Sequence, residues 1–563
     1  MKTCNQCKKE FDVADSDRAF YAKIHVPEPT LCPSCRSQWR MSFRNERTLY
    51  SRACSLCAKK IISMYSDVVP FPVYCTECFW SDRWNAKSYG RAVDAGKPFF
   101  PQWKALSDVT PRLGIVNKQS TNSEFCNYSL ENKNCYLTFG SHREEDCMYG
   151  HYSTHNRNQL DYLWTYENEL CYECSFMTHS YRSVGLRHCE KCTECFFSSD
   201  LKNCSHCLFS SNLRHKQYYI FNTPYSKEGY EKKFAEYELH TADGFERAYD
   251  IFRKQVLAQF PKRVNYQVNC DQCEGTNLQN SKNLRFCFNA ANCENVAYGF
   301  QMDWVFDSQD QNYMGYDRSE LCYQTIGCTG AYSCRFSDSC WMNSSLTYCA
   351  YCFSSKDCFG CVSLNRGEYC ILNRQYEQKE YERLIAEITE TMKTHGEWGQ
   401  FFPKECSPFG YNESVVNESY PLERQEAIAR GYRWTNDLPY TTGKETIEWS
   451  DIPDSIRDVD AARLEGEIVS CAVCKRNYKF VKKELEFYTT LSLPLPRLCP
   501  QCRYLRRLDN EKVFLLFTRT CMCQNKEHSG HAGGVCGVSC STIYAPDRPE
   551  TVYCEPCYQK EII

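Results

Sequence analysis

Long apolar runs are missing from this chain, and so are the motifs of the common enzyme classes. No run of about 18 apolar residues occurs, so the sequence predicts no membrane span. There is no Walker loop, GxGxxG turn, HExxH helix or GxSxG elbow, and the 563 residues include only 12 histidines. These absences argue against nucleotide-dependent enzymes, zinc peptidases and α/β-hydrolases. We therefore expect a protein without catalytic activity.

Cysteine is abundant instead, with 42 residues. An oxidising compartment would join these cysteines as disulfides, whereas a reducing one would leave them as metal ligands or packed thiols. Cys4 follows Met1-Lys2-Thr3 directly, without the apolar segment of a secretory signal. We therefore expect a cytoplasmic protein with reduced cysteines.

Each end of the chain carries two successive sets of four cysteines at spacings typical of tetrahedral zinc. The predicted ligands are Cys4, Cys7, Cys32 and Cys35; Cys54, Cys57, Cys75 and Cys78; Cys471, Cys474, Cys499 and Cys502; and Cys521, Cys523, Cys554 and Cys557. Four cysteine ligands leave no open position for water, so we expect structural sites. The sequence thus predicts at least four zinc ions as cofactors.

The last of these four sites departs from the pattern. Cys521-Met-Cys523 stands where a CxxC pair is expected, and an insert rich in possible ligands follows it. Cys536 precedes Cys554 by the same interval that separates Cys57 from Cys75. The alternative ligands, for this ion or for a second one, are Cys536, Cys540, His528 and His531.

The first set at each end shares more than cysteine. An aromatic residue follows the first CxxC (Phe11, Tyr478), a Phe-Tyr pair lies between the two CxxC pairs, and the second CxxC runs into arginine. This pattern resembles the zinc-ribbon, treble-clef-like family. The resemblance implies a β-hairpin between the two CxxC pairs and a helix that begins at the second. The order of zinc pair, Cys-rich repeats, connector and zinc pair resembles uncharacterised Cys-rich zinc-ribbon proteins of candidate-phylum bacteria, from which no activity can be transferred.

Charge is distributed unevenly along the chain. Residues 1–92 hold 15 Lys and Arg against 9 Asp and Glu, and residues 468–563 hold 14 against 9, while the whole chain has a net charge of -3. Basic ends on an acidic body favour an anionic partner, although the same residues could simply offset thiolate charge. The predicted phosphate-contacting residues are Arg36, Arg40, Arg44, Arg47, Arg503, Arg506 and Arg507.

Residues 115–375 repeat every six positions. From Cys322 the first position of each hexad is Cys or Leu, and the earlier half keeps this step through Cys135, Cys147, Cys171 and Cys189. A fixed period with one small apolar residue per unit predicts a β-solenoid whose cysteines form inward columns, among them Cys322, Cys328, Cys334 and Cys340. The two halves look like copies, and each ends in a helical pattern.

The internal CxxC pairs leave alternatives open. They fall on a three-residue step of the repeat, which favours reduced packing thiols, but metal binding or redox chemistry at some pairs is the alternative. The pairs are Cys171/Cys174, Cys192/Cys195, Cys204/Cys207, Cys270/Cys273, Cys349/Cys352 and Cys358/Cys361.

We therefore expect a mainly β protein: a central β-solenoid in two duplicated halves with capping helices, flanked at both termini by paired zinc ribbons. The expected domains are paired zinc modules at 1–92, solenoid halves at 93–225 and 264–375, a helical insert at 226–263, a capping helix at 376–395, a connector at 396–467 and paired zinc modules at 468–563.

The function predicted from these features is binding of nucleic acid, with RNA favoured, through the basic zinc modules. A protein-interaction or structural scaffold that uses the solenoid surface is the alternative, and a β-helix enzyme is the third. His142, His151, His155 and His179 lie close to acidic residues, but we expect them to be surface loop residues.

Overall fold

The computed structural model describes residues 1–294, 300–303, 305–306, 319–320, 326, 328–329, 340–341, 344–509, 515–525 and 534–562. The middle of the chain consists mainly of parallel strands, and its ends consist of short antiparallel hairpins and helices. Among the helices in these ranges, none is both long enough and apolar enough to cross a membrane.

A seven-stranded parallel sheet forms most of the first ladder, which we define as residues 117–224. Each strand pairs with the next at an offset of twelve residues, so that Met148 pairs with Leu160 and Leu160 pairs with Tyr172. The seven strands are Asn117–Lys118, Ser129–Leu130, Phe139–His142, Met148–Thr154, Leu160–Tyr166, Tyr172–Thr178 and Arg187–Glu190. The ladder ends in a three-stranded sheet of Ser205–Leu208, Gln217–Ile220 and Thr223–Pro224.

The backbone of the first ladder turns at every third residue. Positive φ angles recur at three-residue intervals from Tyr128 to Phe221, and the non-glycine residues Tyr149 and Tyr152 are among them. A side chain in each triplet is buried: Cys171, Cys174 and Met177 are all 0% exposed. Positive φ costs an L-residue about 1–2 kcal/mol, so the hydrogen bonds between successive repeats must hold this conformation. The predicted hexad is therefore two triplets.

The second ladder, residues 267–375, repeats the twelve-residue offset in most of its described pairs, with exceptions where Gln267 pairs with Leu278 and Val305 pairs with Ser319. Its described strands are Gln267–Asp271, Gly275–Thr276, Leu278–Lys282, Cys287–Ala291, Phe300–Asp303, Val305–Phe306, Ser319–Glu320, Cys328–Thr329, Cys340–Trp341, Ser344–Thr347, Lys356–Phe359, Glu368–Ile371 and Arg374–Gln375. Ser344 pairs with Lys356, and Lys356 pairs with Glu368. The column predicted through Cys322, Cys328, Cys334 and Cys340 lies outside the residues whose side chains the structure describes.

Helices follow both ladders and fill the connector. Ser226 caps the first of them by accepting a hydrogen bond from the Gly229 N–H. Along Gln378–Thr394, Leu384, Ile388 and Met392 form a buried stripe. The helices between residues 86 and 464 are Ala86–Tyr89, Phe99–Ser107, Lys227–Ala235, Ala242–Ile251, Phe252–Leu257, Gln378–Thr394, Lys404–Cys406, Tyr411–Glu413, Val416–Ser419, Arg424–Ala429, Trp449–Asp451, Ile456–Asp458 and Ala461–Leu464.

The terminal modules contain four hairpins and six α-helices among their described residues. The hairpins are Lys2–Thr3 with Glu10–Phe11, Tyr50–Ala53 with Lys60–Ser63, Ile468–Ser470 with Asn477–Lys479, and Phe517–Thr520 with Ser539–Thr542. The helices are Asp15–Lys23, Pro33–Met41, Thr76–Phe79, Lys482–Leu491, Pro500–Asp509 and Glu555–Ile562.

Both terminal modules are joined to the ladders by parallel strand pairs. Val73–Tyr74 pairs with Arg112–Leu113 just before the first ladder. Lys262–Arg263, just before the second ladder, pairs with Val552–Tyr553. The N-terminal module also packs on the second ladder, and the C-terminal module packs on the first, so each end of the chain binds the distant half.

Candidate metal centres

Four groups of four cysteines have the geometry of a closed metal site. Within each group the Sγ atoms all lie within 4.8 Å of one another. The groups are Cys4, Cys7, Cys32 and Cys35; Cys54, Cys57, Cys75 and Cys78; Cys471, Cys474, Cys499 and Cys502; and Cys521, Cys536, Cys554 and Cys557. These groups could hold metal ions, two near each end of the chain.

The sulfur separations match tetrahedral thiolate coordination. A zinc–sulfur distance of about 2.3 Å implies sulfur atoms about 3.8 Å apart. The Sγ atoms of Cys7 and Cys32 are 3.7 Å apart, and those of Cys474 and Cys499 are 3.6 Å apart. The corresponding distances are 3.9 Å between Cys57 and Cys75 and 3.8 Å between Cys536 and Cys554. The thiols therefore need little movement to receive an ion.

The same local structure produces each site. The first two cysteines lie in the turn of a hairpin, and the last two lie at the start of a helix, such as Pro33–Met41 after the cap residue Cys32. The Sγ atom of Cys4 accepts a hydrogen bond from the Cys32 N–H at 3.3 Å. A helix N-terminus and backbone donors both favour thiolate over thiol.

Electrostatic effects at the first site also favour the thiolate form of one cysteine. Hydrogen bonding with the Cys35 thiol lowers the pKa of Cys32 to about 5 against the opposing effect of burial. One sulfur of this group therefore ionises readily, as a metal ligand must.

The fourth site corrects the preferred ligand assignment. The described cysteine that completes the group is Cys536, whereas the sequence favoured Cys523. Cys536 lies three residues before the strand Ser539–Thr542, just as Cys57 lies three residues before Lys60–Ser63. The insert therefore lengthens the hairpin turn without moving the ligand, and the equal intervals before Cys554 and Cys75 were the correct signal. Cys540 lies outside the group, and His528 and His531 lie outside the described residues.

The interior cysteines of the ladders are arranged differently. Within the part of the chain that the structure describes, none of them belongs to a compact ligand group. Cys195, for example, is buried, and its thiol lies 3.6 Å from the Cys204 carbonyl oxygen. The described cysteines form no disulfides. This arrangement favours the interpretation of these cysteines as packing thiols.

The arginines predicted to contact nucleic acid point into the protein. In the N-terminal module, Arg36, Arg40 and Arg44 are 5%, 1% and 6% exposed. The guanidinium of Arg36 donates to the Tyr21 hydroxyl, and Arg44 pairs with the buried Glu46. These side chains support the module from within, so phosphate could reach them only after the module unfolds.

The C-terminal arginines dock on the first ladder. Arg503 and Arg507 are fully buried and contact Asp161 at 3.1 and 3.0 Å. Arg507 also contacts Glu173 at 3.0 Å. The helix Pro500–Asp509, which begins at the third metal site, therefore places these two positively charged side chains against the first ladder.

The two remaining predicted arginines are also engaged. Arg506 contacts Glu173 at 2.8 Å, and its side chain is only 16% exposed. Arg47 lies over the Tyr504 ring and donates to Gln501 at 2.9 Å. Most of these arginines thus contact carboxylates or aromatic rings of the protein itself, and a nucleic-acid surface built from them stays a prediction.

A buried polar chain around His151 was missed by the sequence analysis. His155 and His179 are exposed and His142 is half-buried, but His151 is fully buried, contrary to the expected surface position. Its Nε2 lies 2.9 Å from Glu46. Burial opposes ionisation of Glu46, but the charge of Arg44 and the hydrogen bond to His151 lower its pKa to about 2.

The chain continues from His151 through Tyr504, whose hydroxyl donates to Glu418 at 2.8 Å. Burial raises the pKa of Glu418 to about 7. These residues come from the N-terminal module, the first ladder, the C-terminal module and the connector, so no local motif in the sequence could have joined them.

Comparison with known proteins found no similar protein. No protein-family model matches the chain, and none of the curated proteins searched is similar to it. The likeness to zinc ribbons therefore rests on the spacing of the cysteines and on the four thiol groups themselves.

Proposed function

We propose that this chain is a non-enzymatic binding protein in which four structural zinc sites hold the terminal modules against a β-solenoid body, beside a ligand cavity. The observation that carries the proposal is the position of one large cavity, of about 1470 Å³, between the two terminal modules, the first ladder and the connector. Clefts where separate units meet are preferred sites for ligands.

Zinc is the metal that the thiol groups favour. Four thiolates at tetrahedral spacing suit zinc, and a closed set leaves no position for a catalytic water. A structural zinc site supplies about 10–16 kcal/mol of binding free energy to folding. Such sites stabilise modules whose own hairpins and helices are too short to fold alone.

The solenoid interpretation is supported by the constant register of the first ladder and by the same offset in most strand pairs of the second. An offset of twelve residues and buried side chains at every third position are what stacked coils require. The helices after each ladder would cover a strand edge that could otherwise pair with another chain.

The ladder surface gives less support to the scaffold alternative. Its charges pair along the twelve-residue offset: Lys133 contacts Glu145 at 2.7 Å, and Arg157 contacts the same carboxylate at 3.2 Å. The charged side chains on this face of the ladder are therefore paired with one another. Nucleic-acid binding also has less support, because five of its seven proposed arginines are buried.

Elemental analysis and dye titration test the proposal together. We expect about four zinc ions per intact chain, and saturable binding of an uncharged, apolar fluorescent dye such as N-phenyl-1-naphthylamine at one site. Ser419 lines the cavity, so Ser419→Trp should abolish dye binding, whereas Gln255→Trp on an exposed helix face should not. Fewer than three zinc ions, or dye binding unaffected by Ser419→Trp, would contradict it.

A further inference from the structure

We propose that two copies of this chain associate end to end through the first coil of the second ladder. We call this coil, residues 267–277, the open coil. The next coil stacks on one side of it, and its other side carries no strand among the described residues. The inference goes beyond the proposed function, because it concerns a surface away from the cavity and names its partner, a second copy of this chain.

The backbone of the open coil is paired on one side only. Its strand Gln267–Asp271 pairs with Leu278–Lys282 and with no other strand that the structure describes. The free side of such a strand presents N–H and C=O groups to which another chain can pair. The Gln272 N–H has no hydrogen-bond partner among the described contacts, whereas the corresponding N–H of Asn283 donates to the Asp271 carbonyl.

Side chains that are buried elsewhere in the ladders reach solvent at the open coil. The Sγ atoms of Cys270 and Cys273 lie 3.4 and 3.3 Å from carbonyl oxygens two residues earlier, as the inward thiol of Cys171 does at 3.2 Å. Cys270 and Cys273 are only partly buried, whereas Cys171 is 0% exposed. Val268 beside them is 53% exposed. An apolar interior that ends in water is unfavourable, and a second surface stacked on it would remove that cost.

The other ends of the ladders are covered by the chain itself. Gln217–Ile220 at the end of the first ladder pairs antiparallel with Thr223–Pro224, and Glu368–Ile371 at the end of the second pairs in the same way with Arg374–Gln375. A helix follows each of these strand pairs. At the start of the first ladder, the Cys126 side chain is 0% exposed. The open coil has no such cover within the described part of the chain.

The sequence of the open coil lacks the features that keep exposed strand edges apart. Proteins protect such edges with charged residues, above all lysine, or with proline, but residues 264–281 contain no Lys, Arg or Pro. The one charged residue of the edge strand, Asp271, lies opposite Lys282 of the next coil. Glu274, the other acidic residue of the coil, lies 3.5 Å from the Ser541 hydroxyl. Two copies can therefore approach without strong repulsion between like charges.

A second copy covers this surface more completely than an extended peptide would. One added strand could pair with Gln267–Asp271, but it would leave the interior beside Cys273 open to water. An identical coil has the same width, so it covers the strand edge and the interior together. A two-fold axis through the contact brings the two edge strands together antiparallel, in an isologous interface. Because each copy offers one open coil, association ends at the dimer.

Sedimentation velocity of the intact, zinc-loaded chain tests the proposal. We expect a dimer at micromolar concentration, with twice the chain mass of 65.9 kDa. Val268→Lys places a charge at the contact in both copies and should raise the dissociation constant at least about tenfold, a change of about 1.4 kcal/mol. Val68→Lys is the matched control, because Val68 is 79% exposed in the N-terminal module, and it should leave the dimer intact. Circular dichroism and zinc content show whether each variant is folded.

Alkylation of Cys270 gives a second measurement that needs no variant. Its thiol is covered in the dimer and accessible in the monomer. Iodoacetamide should therefore label Cys270 more slowly as the protein concentration rises. In denaturant, where no dimer forms, the labelling rate should not depend on protein concentration.

Several outcomes would overturn the dimer. A chain that sediments as a monomer at every concentration tested would do so. A dimer that a folded Val268→Lys leaves unchanged would place the contact elsewhere. Oligomers that keep growing with concentration would contradict an interface that only two copies can share. If the monomer instead bound an extended Thr-Val peptide, and Val268→Lys removed that binding, the edge would be a peptide site and not a contact between copies.

Discussion

Arg503 Nε lies 3.1 Å from Asp161 Oδ2, and neither side chain is exposed to solvent. The arginine directly follows a candidate metal ligand, Cys502, while the aspartate belongs to a ladder strand more than 300 positions earlier in the chain. Long-range ion pairs of this kind connect folding of the metal module with folding of the ladder.

Removing one partner of the neighbouring pair should destabilise the protein strongly. Arg507→Met leaves Asp161 and Glu173 with one cation fewer in a fully buried position. Breaking a buried pair from one side costs about 3–5 kcal/mol, because a charge is left without compensation. Denaturant unfolding of the zinc-loaded protein measures this loss.

Arg497→Met is the control for that experiment. Arg497 contacts Asp454 at 2.8 Å, but both side chains are 42% exposed. Exposed pairs contribute about 0–1 kcal/mol, so its stability should change little. Equal losses for the two variants would contradict the role assigned to Arg507.

Replacing Cys536 should remove one metal ion, and replacing Cys523 should not. Cys536→Ser leaves three thiols at the fourth site, so we expect three zinc ions per chain in elemental analysis. Cys523→Ser is the matched control because Cys523 is buried beside the site but lies outside the ligand group, and it should retain four ions. The reverse result would restore the ligand assignment favoured by the sequence.

Local patterns predicted much of this structure. The spacing of the cysteines placed three of the four thiol groups correctly, because each ligand set is built from two short segments with a fixed loop between them. The fourth failed at Cys523, where a CxC resembled a CxxC pair and an insert separated the true neighbour. A repeat period was likewise visible, since each unit places a small side chain inward.

Contacts between distant segments could not be predicted. Arg36 and Arg40 lie on the helix Pro33–Met41 and Arg44 lies beyond its end, but sequence alone did not show that these side chains point inward. His151 gave no signal, because its partner Glu46 lies in another module. Arg503 and Arg507 pair with carboxylates far along the chain, which no local pattern in the sequence could show.

Interior thiols of the ladders should be protected from alkylation in the native state. Cys174, Cys189 and Cys195 are at most 2% exposed, whereas Cys270 is only partly buried. Iodoacetamide should therefore modify Cys270 first and reach the others only after denaturation, as peptide mass spectrometry would show. Prompt native labelling of Cys189 would contradict tight packing, and its failure to react after denaturation would indicate a disulfide.

Glu144 should make the protein less stable as the pH rises through neutrality. It occupies a column of asparagines inside the first ladder, where its Oε1 lies 3.1 Å from the Asn156 Nδ2 and its Oε2 accepts from the Tyr162 hydroxyl at 2.9 Å. Burial raises the pKa of Glu144 to about 7 from its ordinary value of 4.5. Between these two values the folded state binds more protons than the unfolded state, so stability is present at lower pH and is lost as pH rises through about 7.

Glu144→Gln should remove that loss, because glutamine resembles the protonated side chain and can keep hydrogen bonds to Asn156 and Tyr162. Between pH 5 and 8 the unfolding free energy of the original protein should fall by about 2–3 kcal/mol relative to the variant. Zinc content is measured at both pH values, so that metal loss is not mistaken for titration. Glu145→Gln is the control, since the hydrogen bond to Lys133 lowers the pKa of Glu145 below this window. If Glu144→Gln and the original protein showed the same pH dependence, Glu144 would not titrate between pH 5 and 8. Burial would then not have raised its pKa, and the side chain would be ionised inside the ladder.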